Sequence, residues 1–160
     1  PTEALPVLLK VAAYVKETFS KPVRINTNGM GNLIWNRDIT PEFEGLIDTV
    51  SISLNTPNAE RYHELVRSKF GDQSFDAMIS FAKKCTQHVP KVVMTTVATT
   101  ITKEEEAQCS KICEEVGAVY RIRPWEDKNI KKHILSKKDN KRIMLPPAGR
   151  PAVFFSLHFS

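Results

Sequence analysis

Small hydrogen-bonding residues recur where short β-like runs of this chain come to an end. Val23-Arg24-Ile25 alternates apolar and polar and then breaks into Asn26-Thr27-Asn28-Gly29. A second run carries Ser53 and Asn55, a third closes in Thr95 to Thr99, and a fourth closes on Arg123. Amides and hydroxyls donate and accept hydrogen bonds, and a guanidinium offers a permanent charge in a fork that matches a carboxylate. Such a set suits the holding of a polar ligand that bears hydroxyls and a carboxylate. It does not suit general acid–base chemistry, because no carboxylate or histidine stands among these residues. Asn, Thr and Gly at strand ends also serve as plain turn formers, and on composition alone that is the better reading.

The remaining reactive side chains form no constellation. Cys109 and Cys113 are four apart and are spaced to share a metal, yet both fall in an apolar helical stripe, as Cys85 does. Cysteine in such a stripe commonly behaves as a small hydrophobe. His63 sits beside Tyr62 and Glu64 on a polar helix, which predicts a surface position. His88, His133 and His158 share no metal-ligand spacing. There is no Gly-x-Ser-x-Gly elbow and no phosphate-binding Gly-x-x-x-x-Gly-Lys, and Gly29-x-Gly31 lacks the third glycine of a dinucleotide fingerprint.

The elements that must position these residues alternate. Leu5, Leu8, Leu9, Ala12, Val15 and Phe19 recur every three or four residues and predict a helix over 2–19. Pro6 falls in its first turn, where a missing N–H is tolerated. A short strand comes next at 23–26. Thr40-Pro41 predicts a helix start, with Phe43, Leu46 and Ile47 as its apolar side. The stretch "DTVSISLN", 48–55, predicts a strand with Val50, Ile52 and Leu54 on one face and Ser51, Ser53 and Asn55 on the other. Thr56-Pro57 predicts a helix through Val66. A further helix, 74–88, carries Phe75, Met78, Ile79, Ala82 and Cys85 as its stripe. The β-branched "KVVMTTVATT" reads as a strand. Thr102 and Glu105 have capping-box spacing and open a helix with Cys109, Ile112, Cys113 and Val116 inward, ended by Gly117. The last strand, 118–123, puts Arg121 and Arg123 on one face and Ile122 on the other.

Helices and strands in this order imply parallel strands joined by right-handed crossovers, so the fold class is α/β. Four strands are expected, near 23–26, 48–54, 91–98 and 118–123, with helices on the outer face. The chain opens on a helix, which in this architecture comes after a strand, so at least one βα unit is expected upstream. The 160 residues, 41% apolar and 26% charged, suit one globular domain with a sizeable core. No apolar run approaches the ~20 residues of a membrane helix. Three cysteines at spacings that suggest no disulfide framework point to a reducing cytoplasm. Residues 128–150 hold eight Lys and Arg against Asp139 alone, a net +7, which leaves −2 for the rest of a +5 chain. The basic character therefore belongs to one C-terminal segment. That segment, 128–160, is expected to be flexible and dispensable for folding, although "AVFFSLHF" is apolar enough to dock.

The strand-end pattern as a whole resembles the radical S-adenosylmethionine enzymes. "PTEALPVLLKVAAYVKE" is similar to the helix after the family's Gly-Gly-Glu-Pro motif, with Pro1 as its proline. "RINTNG" resembles the third strand and its Thr-Asn-Gly ending. "DTVSISLNTPNAERYHELVR" resembles the fourth strand and the segment after it. "VVMTTVATTITKEEEAQCSKICEEVGAVYRIRPW" resembles the fifth strand, its helix and the sixth strand. Within the superfamily, "RINTNG…SISLNTP…YRIRPWED" is most similar to the small proteins associated with TatD-family nucleases. The resemblance spans residues 1–127 and implies the C-terminal two-thirds of a partial (β/α) barrel. It makes Asn26, Thr27, Asn28, Gly29, Ser53, Asn55 and Arg123 the cofactor-binding residues, with Gly29 letting the backbone approach S-adenosylmethionine. It implies S-adenosylmethionine and a [4Fe–4S] cluster in a full-length parent that cleaves the cofactor reductively to a 5′-deoxyadenosyl radical. A TatD-family nuclease is the partner it implies.

The departures are as informative. The family's Cys-x-x-x-Cys-x-x-Cys loop, which holds the cluster, is absent, and Cys109-x-x-x-Cys113 has no third cysteine two residues on. Neither cluster nor cofactor is therefore expected to bind stably to this chain alone, and no residue here is assigned to catalysis or to a metal. Two alternatives stand beside the enzyme: an inactive truncated domain, and a nucleic-acid-associated module. Lysine clusters attract phosphates, but residues 128–150 contain no aromatic stacking platform.

Overall fold

The alternation is realised as one parallel sheet with helices packed against it. The computed structural model describes residues 1–125 and 155–157. Helix α1 (Leu5–Phe19) comes after a 3-10 turn at Thr2–Ala4 and leads to β1 (Val23–Thr27). Then come α2 (Gly31–Trp35), a 3-10 turn at Thr40–Phe43, β2 (Thr49–Ser53), α3 (Ala59–Val66), α4 (Gln73–His88), β3 (Lys91–Val97), α5 (Lys103–Val116), β4 (Val119–Arg123) and β5 (Phe155–Leu157). The strand order is β4-β3-β2-β1-β5, and every neighbouring pair is parallel. From β1 to β4 the chain always steps to the next position in the same direction. Right-handed crossovers then put the intervening helices on one face of the sheet.

That face is the core. Ile25, Val50, Ile52 and Met94 are fully buried there with Leu5, Leu8 and Ala12 of α1, Met78, Phe81 and Cys85 of α4, and Cys109 and Cys113 of α5. At α5 the expected capping box is present: Thr102 Oγ1 accepts from Glu105 N–H, and the Glu105 carboxylate accepts from Thr102 N–H. Gly117 ends the helix at φ +83°, in the left-handed region that glycine enters at low cost.

Several local expectations differ. Thr40-Pro41 opens only a 3-10 turn, because the Thr40 hydroxyl donates to Asp38 Oδ1 at 2.8 Å instead of capping a helix. Helix α3 starts at Ala59, capped by the Asn58 carboxamide accepting from Arg61 N–H at 2.9 Å, and not at Thr56-Pro57. Phe19 lies outside the buried stripe of α1 and stacks edge-on with exposed Tyr14. Phe81, which sequence periodicity left out, is the aromatic anchor of α4, edge-on to Phe43 at 6.2 Å between centroids. Strand β5 belongs to the basic C-terminal segment and pairs with β1 from Val23↔Phe155 to Ile25↔Leu157, a strand the sequence reading does not contain. The flexibility expected of the rest of 128–160 concerns residues outside those described.

Candidate functional site: the polar face of the sheet

Strand register sorts the other face of the sheet. Arg24 lies beside Thr49, Asn26 beside Ser51, Ser53 beside Thr95, Thr95 beside Arg121, and Val97 beside Arg123. In a parallel pair these partners share a face, opposite Ile25, Val50, Ile52 and Met94. Parallel sheets are ordinarily apolar on both faces because helices cover both. Here one face is mostly apolar, and the other mixes hydroxyls, an amide and guanidinium groups with Val93, Val97 and Val119. Ser51 and Thr95 on this face are buried, with Thr95 Oγ1 donating to Ile52 O at 3.4 Å, whereas Arg121 and Arg123 are exposed.

The expected site residues divide by where they point. Asn26 is on the polar face and accepts from Arg24 Nε at 3.2 Å. Ser53 ends β2 on the same face, half-buried. Asn55 does not continue the alternation. The strand stops at Ser53, the backbone of Asn55 turns left-handed at φ +64°, and the N–H groups of Leu54 and Asn55 both donate to Thr95 O. Asn and Asp tolerate that conformation better than other residues, so Asn55 is held at the carboxyl end of β3 by its backbone. Arg123 ends β4 and is exposed, next to exposed Arg121. Glu126, a conceivable partner for these arginines, lies outside the described residues.

Thr27 and Gly29 face the other way. Thr27 is buried on the helix side, where its Oγ1 accepts from Gly29 N–H at 3.1 Å and lies 3.4 Å from Thr2 Oγ1. Asn28 is exposed, and its Oδ1 accepts from Met30 N–H at 3.1 Å. Gly29 sits at φ +80°, and a Cβ built there would lie 2.9 Å from Met78 Cγ and 3.2 Å from Met78 Cα. The close approach this glycine permits is therefore to helix α4. Together these bonds make the turn after β1 a rigid corner that holds Asn26 and Asn28 at the strand end.

The cysteines keep the place the helical stripes gave them. Cys85, Cys109 and Cys113 are free and buried. Burial pushes the Cys85 and Cys113 thiols up to about 12 and the Cys109 thiol up to about 11. A protonated thiol is a poor metal ligand and a poor nucleophile. Among the described residues no group of three or more His, Cys, Asp or Glu side chains could hold a metal ion, and no helix is long and apolar enough to cross a membrane.

The residue that sequence reasoning left out of the set is Arg24. Its signal was present, since it occupies the same alternation phase as Asn26, opposite Val23 and Ile25. Burial lowers its pKa, and the charges of Arg121 and Arg123 lower it further. The guanidinium groups of β1 and β4 thus feel one another across the two central strands.

Comparison of the chain with protein-family models, with curated proteins and with solved structures returns no match. The class defined by the fold is therefore the plain one: an α/β protein with an all-parallel sheet, apolar under its helices and polar on its other face.

Proposed function

We propose that residues 1–127 are the C-terminal two-thirds of a radical S-adenosylmethionine domain of the partial (β/α) barrel type, and that the polar sheet face is the inside of that barrel. The observation that carries this reading is the one-sided polarity of an all-parallel sheet, with Asn26, Ser53 and Arg123 at the carboxyl ends of three strands. Parallel α/β folds bind their ligands at that end. The order of the quoted sequence stretches supports the family.

The chain's own residues do not fit an iron–sulfur cluster, because its three thiols are protonated core side chains on α4 and α5. What these residues offer is positioning. Asn26, Asn28, Ser53 and Asn55 present amides and a hydroxyl suited to a cofactor's ribose and amino-acid portion, and Arg123 presents a charge suited to its carboxylate. In this reading Thr27 and Gly29 support the corner and do not touch the ligand. A TatD-family nuclease partner is implied by the same resemblance. A cytoplasmic setting is part of the same reading, drawn from three cysteines whose spacings suggest no disulfide framework.

The test is calorimetric titration of S-adenosylmethionine into the reconstituted full-length parent. Ser53→Ala and Asn55→Ala each remove one hydrogen bond, which weakens binding by on the order of 1 kcal/mol, or several-fold. Unchanged affinity in both variants overturns the assignment.

A further inference from the structure

Three arginines stand on the polar face with no described carboxylate to answer them. Arg24 on β1 gives only its Nε, to Asn26, and among the described residues no acceptor or ion-pair partner meets its terminal nitrogens, Arg121 or Arg123. The described carboxylates that form ion pairs with lysine or arginine are engaged elsewhere: Asp48 with Lys16, Glu42 with Arg37, Glu105 with Arg61, Asp38 with Lys84, and Glu106 with Lys103. Strands β1 and β4 are three positions apart in the sheet, about 14 Å at ordinary strand spacing, and Arg121 and Arg123 lie four and six residues beyond the row of Arg24, Thr49 and Lys91, which adds about 13 and 20 Å along the strands. Across that diagonal the charges of Arg121 and Arg123 act on the Arg24 guanidinium, and the strands between carry Ser51, Ser53 and Thr95 on the same face. Fixed like charges gathered over hydroxyls repel until a multiply charged anion joins them.

We propose that Arg24, Arg121 and Arg123 form an anion site on the polar face of the sheet, built for the phosphate or diphosphate group of a small-molecule substrate. A carboxylate answers one guanidinium, whereas a phosphate ester or diphosphate carries two or more charges and enough oxygens to take several forked arginine contacts at once. Ser51 and Thr95, on the strands between, are buried, and Thr95 Oγ1 donates to Ile52 O at 3.4 Å, so the arginine forks supply the donors. The inference rests on the radical S-adenosylmethionine reading in taking this anion as part of the substrate, and it moves Arg123 from the cofactor's carboxylate to that anion. The site itself requires neither cluster nor cofactor.

Pyrophosphate is the probe, titrated calorimetrically into the full 160-residue chain at low ionic strength against matched chloride. One saturable site is expected. Arg24→Gln, Arg121→Gln and Arg123→Gln each weaken it by about tenfold, while the lysine variant Arg24→Lys retains part of the affinity. Arg67→Gln removes the same charge from the exposed end of α3 and leaves the affinity unchanged. No saturable binding overturns the proposal. So does binding indifferent to the three arginines, as the lysines of 128–150 would give, or an equal loss in Arg67→Gln. If pyrophosphate does not bind but Arg123→Gln weakens S-adenosylmethionine binding by the parent, the phosphate site is wrong and the cofactor reading survives.

Discussion

Asp38 shows how one side chain fixes the loop between β1 and β2. Its Oδ1 accepts from the backbone N–H of Thr40 at 3.0 Å, from the Thr40 hydroxyl at 2.8 Å and from Asn32 Nδ2 at 3.1 Å, while Lys84 of α4 lies 3.2 Å from Oδ2. Burial raises the carboxyl pKa, but the bonds from Thr40, Lys84 and Asn32 outweigh it and hold the group at about 2. A carboxylate whose folded pKa is depressed stabilises the fold above its unfolded pKa, near 4, and loses that contribution as pH falls toward the folded value. Asp38→Asn is expected to cost about 0.5–1 kcal/mol at neutral pH, since the site is partly solvated and screened. The variant should also show a flatter dependence of stability on pH between about 4 and 2. Urea denaturation of both proteins across that range checks it; parallel pH profiles would contradict it. None of this was legible in the sequence, where Thr40-Pro41 reads as a helix start and gives no hint that the hydroxyl is taken by Asp38.

At the scale of elements, the strands were the most legible part. β-branched residues and period-2 alternation located β1 to β4, and the Thr102–Glu105 spacing located the start of α5. The misses have physical causes. Helix α2 is a single turn opening on Gly-Asn, too short to show a stripe. Alternation was extended one step too far, to Asn55, because a left-handed turn at an asparagine leaves the same letters as a continued strand. The resemblance makes Gly29 a point of close approach for a ligand, whereas the space a Cβ would fill there is occupied by Met78 of α4. That difference is measurable. Gly29 and Gly45 both have positive φ, at +80° and +73°, but a Cβ on Gly45 meets nothing within 4 Å. Gly45→Ala should therefore cost only the left-handed backbone penalty, about 1 kcal/mol. Gly29→Ala adds the displacement of α4 at Met78 and should cost about 3 kcal/mol. Equal destabilisation of the two variants in chemical denaturation would show that the corner does not pack as described.

At the scale of the molecule, the sheet has a dry side under its helices and a more polar side, and the proposed function is assigned to the second. The dry side was predictable from the apolar stripes of α1, α4 and α5. The polar side was visible residue by residue, in Asn26, Ser53, Arg121 and Arg123, but not as a surface. Only strand order and register show that Arg24 and Arg123, 99 positions apart in sequence, look onto the same floor. Strand β5 was illegible for a related reason. A three-residue strand carries almost no periodic signal of its own and is defined by the edge of β1 that it meets. That edge is also where the family reading expects an upstream strand, whose backbone groups would pair with β1 in a full-length parent.

The central claim, that this chain is part of a radical S-adenosylmethionine barrel, is tested most directly by the coding sequence immediately upstream of Pro1. About 80 residues suffice, since a complete (β/α) barrel domain runs to about 200 residues or more. The expected result is a strand that leads into a Cys-x-x-x-Cys-x-x-Cys loop, with Gly-Gly-Glu directly before Pro1. An upstream coding sequence of that length without the three cysteines would contradict it.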